Sequence, residues 1–143
     1  MRADDIAREW IGTPYVHQAS TKGAGADCLG LLRGVWRELY GQEPRAIPAY
    51  SQDWGETSDH EILWEAAADI LRPAKSGDIA NGEVLLFRMR QGCVAKHLGI
   101  CANRDGLPSF IHSFSGHGVV ESLLTRPWRR RIVARFEFPK RIN

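Results

Sequence analysis

Three side chains in this sequence have the types and positions that nucleophilic catalysis requires, namely Cys28, His97 and His112. Cys28 follows a loop rich in Gly, Ser and Thr and opens an apolar stripe of helical spacing, so we predict it in the first turn of a helix. The backbone N–H groups and the dipole at such a position stabilise negative charge, and the thiolate is the reactive form of cysteine. Cys28 is therefore a candidate nucleophile, with a buried structural thiol as the alternative.

A nucleophilic thiol needs a base, and two histidines lie on segments that otherwise have the apolar pattern of core strands. His97 lies in the predicted strand Val94–Ala102, and His112 lies in the predicted strand Phe110–Phe114. The two-residue period of a strand can place both rings on one face of adjacent strands. We predict that His97 takes the thiol proton. We predict that His112 orients the His97 ring, as the third member of a triad orients the base. For each ring, a hydrogen-bonded core histidine is the alternative.

The remaining histidines have weaker claims. His17 and His117 lie in predicted loops and are candidates for substrate contact. His60 is expected at the surface, near the start of a helix.

The spacing of Cys93, His97 and Cys101 raises the question of a zinc site, because each lies four residues from the next. On a helix this spacing would gather the three side chains on one face. On the predicted strand, four residues span about 13 Å, too far for one ion whose ligand bonds are about 2 Å long. Cys93 and Cys101 lie eight residues apart, about 26 Å along a strand, which also excludes a disulfide between them there. We therefore expect neither a metal nor a cofactor.

Two kinds of element must position these residues, because the first half of the chain has helical periodicity and the second half has the pattern of strands. This segregation predicts an α+β fold. Helices are predicted from Asp5 to Ile11 after an N-cap at Asp4, from Asp27 or Cys28 to Gly41, and from Ser58, in a capping box with Glu61, to Pro73. Strands are predicted at Ile79 with Glu83–Met89, Val94–Ala102, Phe110–Phe114, Val119–Ser122 and Ile132–Phe138.

The composition is that of one globular domain spanning residues 1–143, with 43% hydrophobic and 25% charged residues. The net charge of +2 is small, and the basic footprint is too narrow to predict nucleic-acid binding. No run of about 18 apolar residues exists, so we expect no membrane span. The cluster from Arg126 to Arg131 is locally basic and suits either a solvated edge or a polyanionic partner.

The cysteines and the first residues bear on the compartment. Three cysteines form an odd set without the spacing of a disulfide framework, which is typical of reduced thiols and synthesis in a cytoplasm-like compartment. The start, Met1–Asp5, lacks the apolar core of a signal peptide, so we expect no secretion signal.

Five short motifs, taken in order, resemble the NlpC-type cell-wall cysteine peptidases of the papain-like superfamily. They are Gly12-Thr13-Pro14-Tyr15, Asp27-Cys28-Leu29-Gly30-Leu31, Ser76-Gly77-Asp78-Ile79, Lys96-His97-Leu98-Gly99-Ile100 and Phe110-Ile111-His112-Ser113. The second motif resembles the nucleophile region, the fourth the base strand, and the fifth the strand of the third polar residue. The resemblance implies a papain-like fold in which N-terminal helices pack on an antiparallel sheet.

The resemblance also implies an activity, which is hydrolysis of peptide bonds in peptidoglycan stems through a thioester. The commonest target in this family is the bond between D-γ-glutamyl and diaminopimelate. By the same match, Tyr15 lies near the oxyanion site, and the Cys28 backbone N–H is a second donor. Asp27 and His17 complete the predicted oxyanion and substrate set.

One segment departs from the common secreted enzymes, and Leu29 stands where many members have Ser. The stretch Leu39–Trp54 is similar to short phage cell-wall peptidases encoded with tail genes, including those of gene transfer agents. We therefore expect the protein on a particle tail tip, acting in the periplasm, with tail or tail-hub proteins as partners. Tyr50–Trp54 and the Arg126–Arg131 stretch with Trp128 are the candidate docking surfaces, with the alternative that Trp54 and Trp128 simply cover the core. The alternatives are a structural tail component with a vestigial site, and a papain-like amidase or acyltransferase.

Overall fold

The computed structural model describes residues 2–44 and 60–140. Helices in these residues are α1 (Ala3–Glu9), α2 (Cys28–Tyr40), α3 (Ile62–Ile70) and α4 (Arg126–Arg131). Strands in the same residues are β1 (Ser20–Thr21), β2 (Gly25–Ala26), β3 (Arg72–Pro73), β4 (Val84–Phe87), β5 (His97–Arg104), β6 (Leu107–Phe114), β7 (Gly118–Leu123) and β8 (Ile132–Glu137). The three longer helices precede the main strands, as predicted for an α+β fold.

The main sheet has six strands in the order β3-β8-β4-β5-β6-β7, and every paired neighbour is antiparallel. Strands β5, β6 and β7 form a meander through short turns, with Cys101 opposite Phe110 and His112 opposite Val120. The small hairpin of β1 and β2 precedes α2. This connectivity places the N-terminus of α2 beside the central strands, because the hairpin ends at Ala26, two residues before Cys28.

Helix α2 begins and ends where local chemistry dictates. The Asp27 carboxylate caps it, with Oδ1 accepting a hydrogen bond from the Gly30 N–H at 2.7 Å. Leu31, Leu32 and Val35 lie one and two turns along the buried face and are completely shielded from solvent. Burial of each such side chain contributes about 1.5–3 kcal/mol. The helix stops at Gly41, whose φ of +89° suits glycine.

The two faces of the sheet bury different clusters. On β4, Val84 and Leu86 join the large core beneath α1 and α2, whereas Leu85 and Phe87 join a smaller cluster on the opposite face. Trp128 of α4 packs against this smaller cluster. The alternation follows from the two-residue period of a strand.

Several predicted boundaries are wrong. Helix α1 begins at Ala3 with Arg2 as its N-cap, not after Asp4, because the Arg2 N–H bonds Asp5 and thereby closes the first turn earlier. Helix α3 begins at Ile62 and ends at Ile70, before Pro73. The predicted cap Ser58 and the predicted docking segment Tyr50–Trp54 lie outside the described residues.

Two further features differ from the sequence prediction. Strand β5 begins at His97 rather than Val94, because the chain turns between Arg90 and Cys93 and enters the ladder only where β4 pairs Phe87 with His97. The basic stretch Arg126–Arg131 forms a short helix that the sequence analysis did not predict. Its local sequence lacks an apolar stripe, and its one large apolar residue, Trp128, packs on a distant part of the chain.

Candidate active site

Cys28 is the first residue of α2, and its side chain is buried, with 5% exposure. Burial, together with the negative charge of Asp27, raises the pKa of this thiol to about 12. The backbone N–H groups of Leu98, Leu29 and Cys28 act in the opposite direction, because they stabilise the thiolate. The Sγ atom lies 3.9 Å from the Lys96 carbonyl oxygen. In the resting protein the sulfur is therefore a protonated thiol held between the start of α2 and the start of β5.

The rings of His97 and His112 are joined by a hydrogen bond. The His97 Nε2 atom lies 2.7 Å from the His112 Nδ1 atom, and the two rings meet edge to face. Burial and the neighbouring His112 ring lower the pKa of His97 to about 3. Burial and the His117 ring lower the pKa of His112 to about 4. Both imidazoles are therefore neutral near pH 7, as a base waiting for a proton must be.

Ser122 extends this pair to a chain of three side chains. The Ser122 Oγ atom lies 2.8 Å from the His112 Nε2 atom, on the far side of the ring from His97. The sequence analysis did not single out Ser122. The β6–β7 register puts His112 opposite Val120, so Ser122 is its diagonal neighbour on the same face. Knowledge of that register would have been the signal needed to find it.

The histidines lie among aromatic rings. Trp128 approaches His112 with ring centroids 5.5 Å apart, and Phe87 approaches His97 at 5.8 Å. Gly99 leaves the space that this packing needs, because a Cβ there would lie 2.9 Å from the Phe110 ring and 3.1 Å from the His112 Cβ. The aromatic surroundings exclude water and are the physical source of the lowered histidine pKa values.

A cleft of about 310 Å³ contains the predicted nucleophile and its predicted base. Its lining consists of Tyr15, Asp27, Cys28, Met89, Lys96, His97, Ser113, Phe114 and Ser115. Burial raises the pKa of the Tyr15 phenol, with further contributions from the charges of Cys28 and Asp27. Tyr15 is therefore a neutral hydroxyl near the sulfur, which suits a hydrogen-bond donor.

The other residues predicted for the site are placed differently. Asp27 lines the cleft, but both oxygens of its carboxylate accept backbone hydrogen bonds: Oδ2 from the Gln18 N–H at 2.7 Å and Oδ1 from the Gly30 N–H at the start of the helix. His17 is not part of the cleft lining, and its Nδ1 lies 3.8 Å from Asp27 Oδ2. His117 stacks on Phe114 with ring centroids 5.4 Å apart. The structure thus brings Tyr15, Asp27, Cys28 and His97 to one cleft and sets His112 behind it.

The other thiols lie elsewhere. Cys101 belongs to the smaller apolar cluster, and Cys93 lies in the turn before β5, so neither lines the cleft. All three cysteines are free thiols. Among residues 2–44 and 60–140, no group of His, Cys, Asp and Glu side chains is arranged to hold a metal ion. Within the same ranges, no helix has the length and apolar character needed to cross a membrane.

The fold and the site define a papain-like α+β protein, with a cysteine at a helix N-terminus beside a pair of histidines on adjacent antiparallel strands. Residues 12–136 match the NlpC/P60 family, and the chain belongs to that family. The predicted fold class is thereby confirmed.

Two bacterial proteins are similar to this chain. The chain is 26% identical over 131 residues to the murein DD-endopeptidase MepS/murein LD-carboxypeptidase of Escherichia coli strain K12, covering 91% of this chain and 58% of that protein. It is 24% identical over 120 residues to a probable endopeptidase of Haemophilus influenzae, covering 84% of this chain and 62% of that protein. The chain thus spans about three fifths of the length of these relatives.

A solved structure supports the fold alone. The crystal structure of Ly7917 superposes with a TM-score of 0.58 over 95% of this chain and 61% of that chain, at 14% identity.

Proposed function

We propose that this protein is a cysteine peptidase that hydrolyses peptide bonds in the stem peptides of peptidoglycan. The observation that carries the proposal is the hydrogen bond between His97 and His112, together with the cleft that both Cys28 and His97 line. Family membership and the printed activities of the bacterial relatives support the same substrate class. The family resemblance alone supports the single domain over residues 1–143.

The order of protons in the histidine chain follows from the bonds. For His97 to accept the thiol proton at Nδ1, its Nε2 carries a hydrogen and donates it to His112 Nδ1. His112 then carries its own hydrogen on Nε2 and donates to Ser122 Oγ. His112 thus holds His97 in the basic tautomer and stabilises the imidazolium that forms during reaction.

The reaction proceeds through a thioester. The Cys28 sulfur attacks the peptide carbonyl while its proton passes to His97, and the resulting oxyanion accepts hydrogen bonds from the Cys28 N–H and the Tyr15 hydroxyl. The C–N bond then breaks, and His97 gives the proton to the leaving amine. Water, deprotonated by His97, attacks the thioester, which releases the carboxylic acid and restores the thiol.

The pKa values determine the timing of the first proton transfer. With the Cys28 thiol near 12 and the His97 imidazole near 3, a resting thiolate–imidazolium pair is unfavourable. Proton transfer therefore accompanies carbon–sulfur bond formation, when bound substrate replaces water in the cleft. The enzyme operates by general-base catalysis rather than from a preformed ion pair.

Digestion of purified peptidoglycan tests the proposal. We expect wild type to release products with new amino and carboxyl ends, and Cys28→Ala to reduce the rate by roughly 10³-fold or more. Cys93→Ala is the matched control, since Cys93 lies outside the cleft, and it should retain activity. Loss of activity in the control with the fold intact, or full activity in Cys28→Ala, would contradict the assignment of Cys28.

Mass analysis of the same digest identifies the bond. From the family resemblance we propose the bond between D-γ-glutamyl and diaminopimelate. The printed name of the Escherichia coli relative gives two other activities, DD-endopeptidase and LD-carboxypeptidase. Each leaves a different fragment, so cleavage at a cross-link or loss of a terminal residue would replace the bond proposed here.

Delivery by a phage-like or gene-transfer-agent particle is a finer part of the proposal. It is supported by the similarity of Leu39–Trp54 to tail-encoded peptidases. The partners would be tail or tail-hub proteins, and the enzyme would act in the periplasm. Purified particles probed for this chain test the idea, and its absence from them would contradict it.

A further inference from the structure

The arginines of this protein fall into two groups. Many described arginines are neutralised, as where Arg8 pairs with Glu121 and Arg135 pairs with Glu83. The same holds for Arg2, Arg33, Arg37 and Arg88. Arg72 and Arg104, in contrast, are single exposed arginines without such a pair among the described residues. Within the described residues, the exposed side chains of α4 form no ion pair with a carboxylate, and neither does the nearby Arg90. The α4 side chains are Arg126, Arg129, Arg130 and Arg131.

A groove lies beside this unpaired charge and adjoins the candidate active site. It encloses about 510 Å³ and is lined by Arg88, Met89, Gln91, Pro127, Arg130, Arg131 and Val133. Met89 also lines the cleft that contains Cys28, so one side chain forms a wall of both spaces. The groove, which we call the arginine groove, therefore lies next to the cleft, with Met89 between them.

Helix α4 is attached rigidly to the site. Trp128 packs against His112 and His97 with ring centroids 5.5 Å and 6.1 Å apart. The Arg131 guanidinium lies 5.5 Å from the centre of the Trp128 ring. Since Trp128 lies within three residues of the arginines at either end of α4, the unpaired charge is held at a fixed position relative to the catalytic histidines.

We propose that the arginine groove binds carboxylate groups of the peptidoglycan strand whose peptide bond lies in the Cys28 cleft. This inference rests on the proposed function and adds the part of the protein that recognises the polymer. Guanidinium groups match carboxylates through two parallel hydrogen bonds, and stem peptides carry free carboxylates at regular intervals. Bound carboxylates would also relieve the mutual repulsion of neighbouring arginines.

The position of the charge favours a carboxylate-bearing substrate over nucleic acid. A nucleic-acid surface follows a phosphate backbone over a wide basic face, whereas in the described residues the unpaired arginines are concentrated on α4 and the turn after β4. That region adjoins the cleft at Met89. A ligand of the active site is therefore the occupant that the geometry supports.

Co-sedimentation with insoluble peptidoglycan tests the groove. The probe is purified peptidoglycan freed of phosphate polymers, and the Cys28→Ala chain is used so that the substrate survives. Adding Arg130→Gln/Arg131→Gln should weaken binding about fivefold at low salt. The difference should vanish near 1 M salt, where the screening length is about 3 Å. Amidation of the peptidoglycan carboxylates should abolish it as well.

Arg72→Gln/Lys75→Gln is the matched control, because it removes the same charge from an exposed region. Arg72 lies opposite Glu137 in the β3–β8 ladder, about 17 Å along β8 from Ile132 and therefore far from α4. This control should bind as tightly as the Cys28→Ala parent. Arg130→Lys/Arg131→Lys keeps the charge and should bind with intermediate strength, since lysine lacks the planar fork.

The outcomes separate the groove from the proposed function. Equal binding by both Gln double variants, or a difference that survives amidation, would overturn the groove proposal. Tighter competition by double-stranded DNA than by soluble peptidoglycan fragments would also overturn it, in favour of a nucleic-acid surface. Charge-dependent binding without hydrolysis by wild type would support the groove and contradict the peptidase.

In the active chain, kinetics give an independent measurement. Arg130→Gln/Arg131→Gln should hydrolyse polymeric peptidoglycan about fivefold more slowly at limiting substrate. The loss should be smaller on a soluble stem peptide whose carboxylates are amidated, because that substrate offers the groove no anion. Equal losses on both substrates would show that the substitutions damage the site itself and would overturn the proposal.

Discussion

At the scale of single residues, the site depends on which nitrogen of each imidazole carries a hydrogen. The His97 Nε2–His112 Nδ1 bond alone permits either direction of donation. Ser122 closes the chain at the other end of His112. The Ser122 hydroxyl can either donate to or accept from His112 Nε2, and it accepts when His97 Nδ1 is left free for the thiol. In the proposed mechanism Ser122 is therefore a positioning residue that acts through His112.

We predict that Ser122→Ala lowers kcat about fivefold to tenfold with little change in KM, as expected for one lost hydrogen bond. Ser122→Thr keeps the hydroxyl and should restore most of the rate. Nitrogen NMR of the His112 ring should show a mixture of tautomers in Ser122→Ala and a single tautomer in wild type. An unchanged kcat together with an unchanged ring spectrum would show that Ser122 has no positioning role.

At the scale of elements, the start of α2 serves both stability and reactivity. The Asp27 carboxylate accepts backbone N–H groups from Gly30 and Gln18, which ties the helix to the loop before it. Its negative charge also raises the pKa of the adjacent Cys28 thiol. The cap therefore holds Cys28, the proposed nucleophile, in place but lowers the acidity of its thiol.

Asp27→Ala should destabilise the protein by about 1–2 kcal/mol, because a helix cap is lost. Thr125→Ala is the matched control, since Thr125 is the N-cap of α4 but makes no side-chain cap bond. Urea unfolding of both variants measures the difference, and equal stabilities would contradict the capping role of Asp27.

Asp27→Asn separates charge from capping. It keeps an oxygen acceptor for Gly30 and removes the negative charge beside Cys28, so the pKa of the thiol should fall. The alkylation rate of Cys28 as a function of pH measures this shift, with Cys93→Ala as the background to remove a competing thiol. A thiol pKa that rises in Asp27→Asn would show that desolvation, and not charge, governs the effect of Asp27.

At the scale of the whole molecule, two neutral histidines enclosed together make folding sensitive to acid. In the unfolded chain a histidine titrates near 6.5, whereas burial lowers the pKa of His97 to about 3 and that of His112 to about 4. The unfolded state therefore binds more protons between these values. The stability that the two neutral imidazoles contribute is complete above their pKa in the unfolded chain. It is lost as the pH falls toward their pKa values in the folded protein.

We predict that the free energy of unfolding falls by roughly 2 kcal/mol between pH 6 and pH 5, where most carboxylates are still ionised. Each histidine contributes close to half, so His112→Gln should reduce the dependence on pH by about half, because glutamine does not titrate. Urea titrations at several pH values measure the free energy of unfolding of both proteins. A flat wild-type profile in this range would contradict the burial of two neutral imidazoles.

The sequence by itself determined the parts of this protein that depend on neighbours three or four residues apart. Helix α2, its start at Asp27 or Cys28 and its end at Gly41 follow from local periodicity and were predicted closely, although the capping role of Asp27 was not predicted. The strand character around His97 and His112 was likewise readable from alternation, although the start of β5 was not. The helix over Arg126–Arg131 was missed, because packing of Trp128 on distant residues stabilises it.

Only the tertiary structure determined which side chains of different elements contact one another. The placement of Ser122 against His112 depends on the register of β6 and β7, which long-range packing sets. The wall that Met89 forms between the cleft and the arginine groove depends on how β4, α2 and α4 meet. The sequence identifies which groups are able to react, and the packed sheet determines their partners, because side-chain contacts between strands have no counterpart in local sequence.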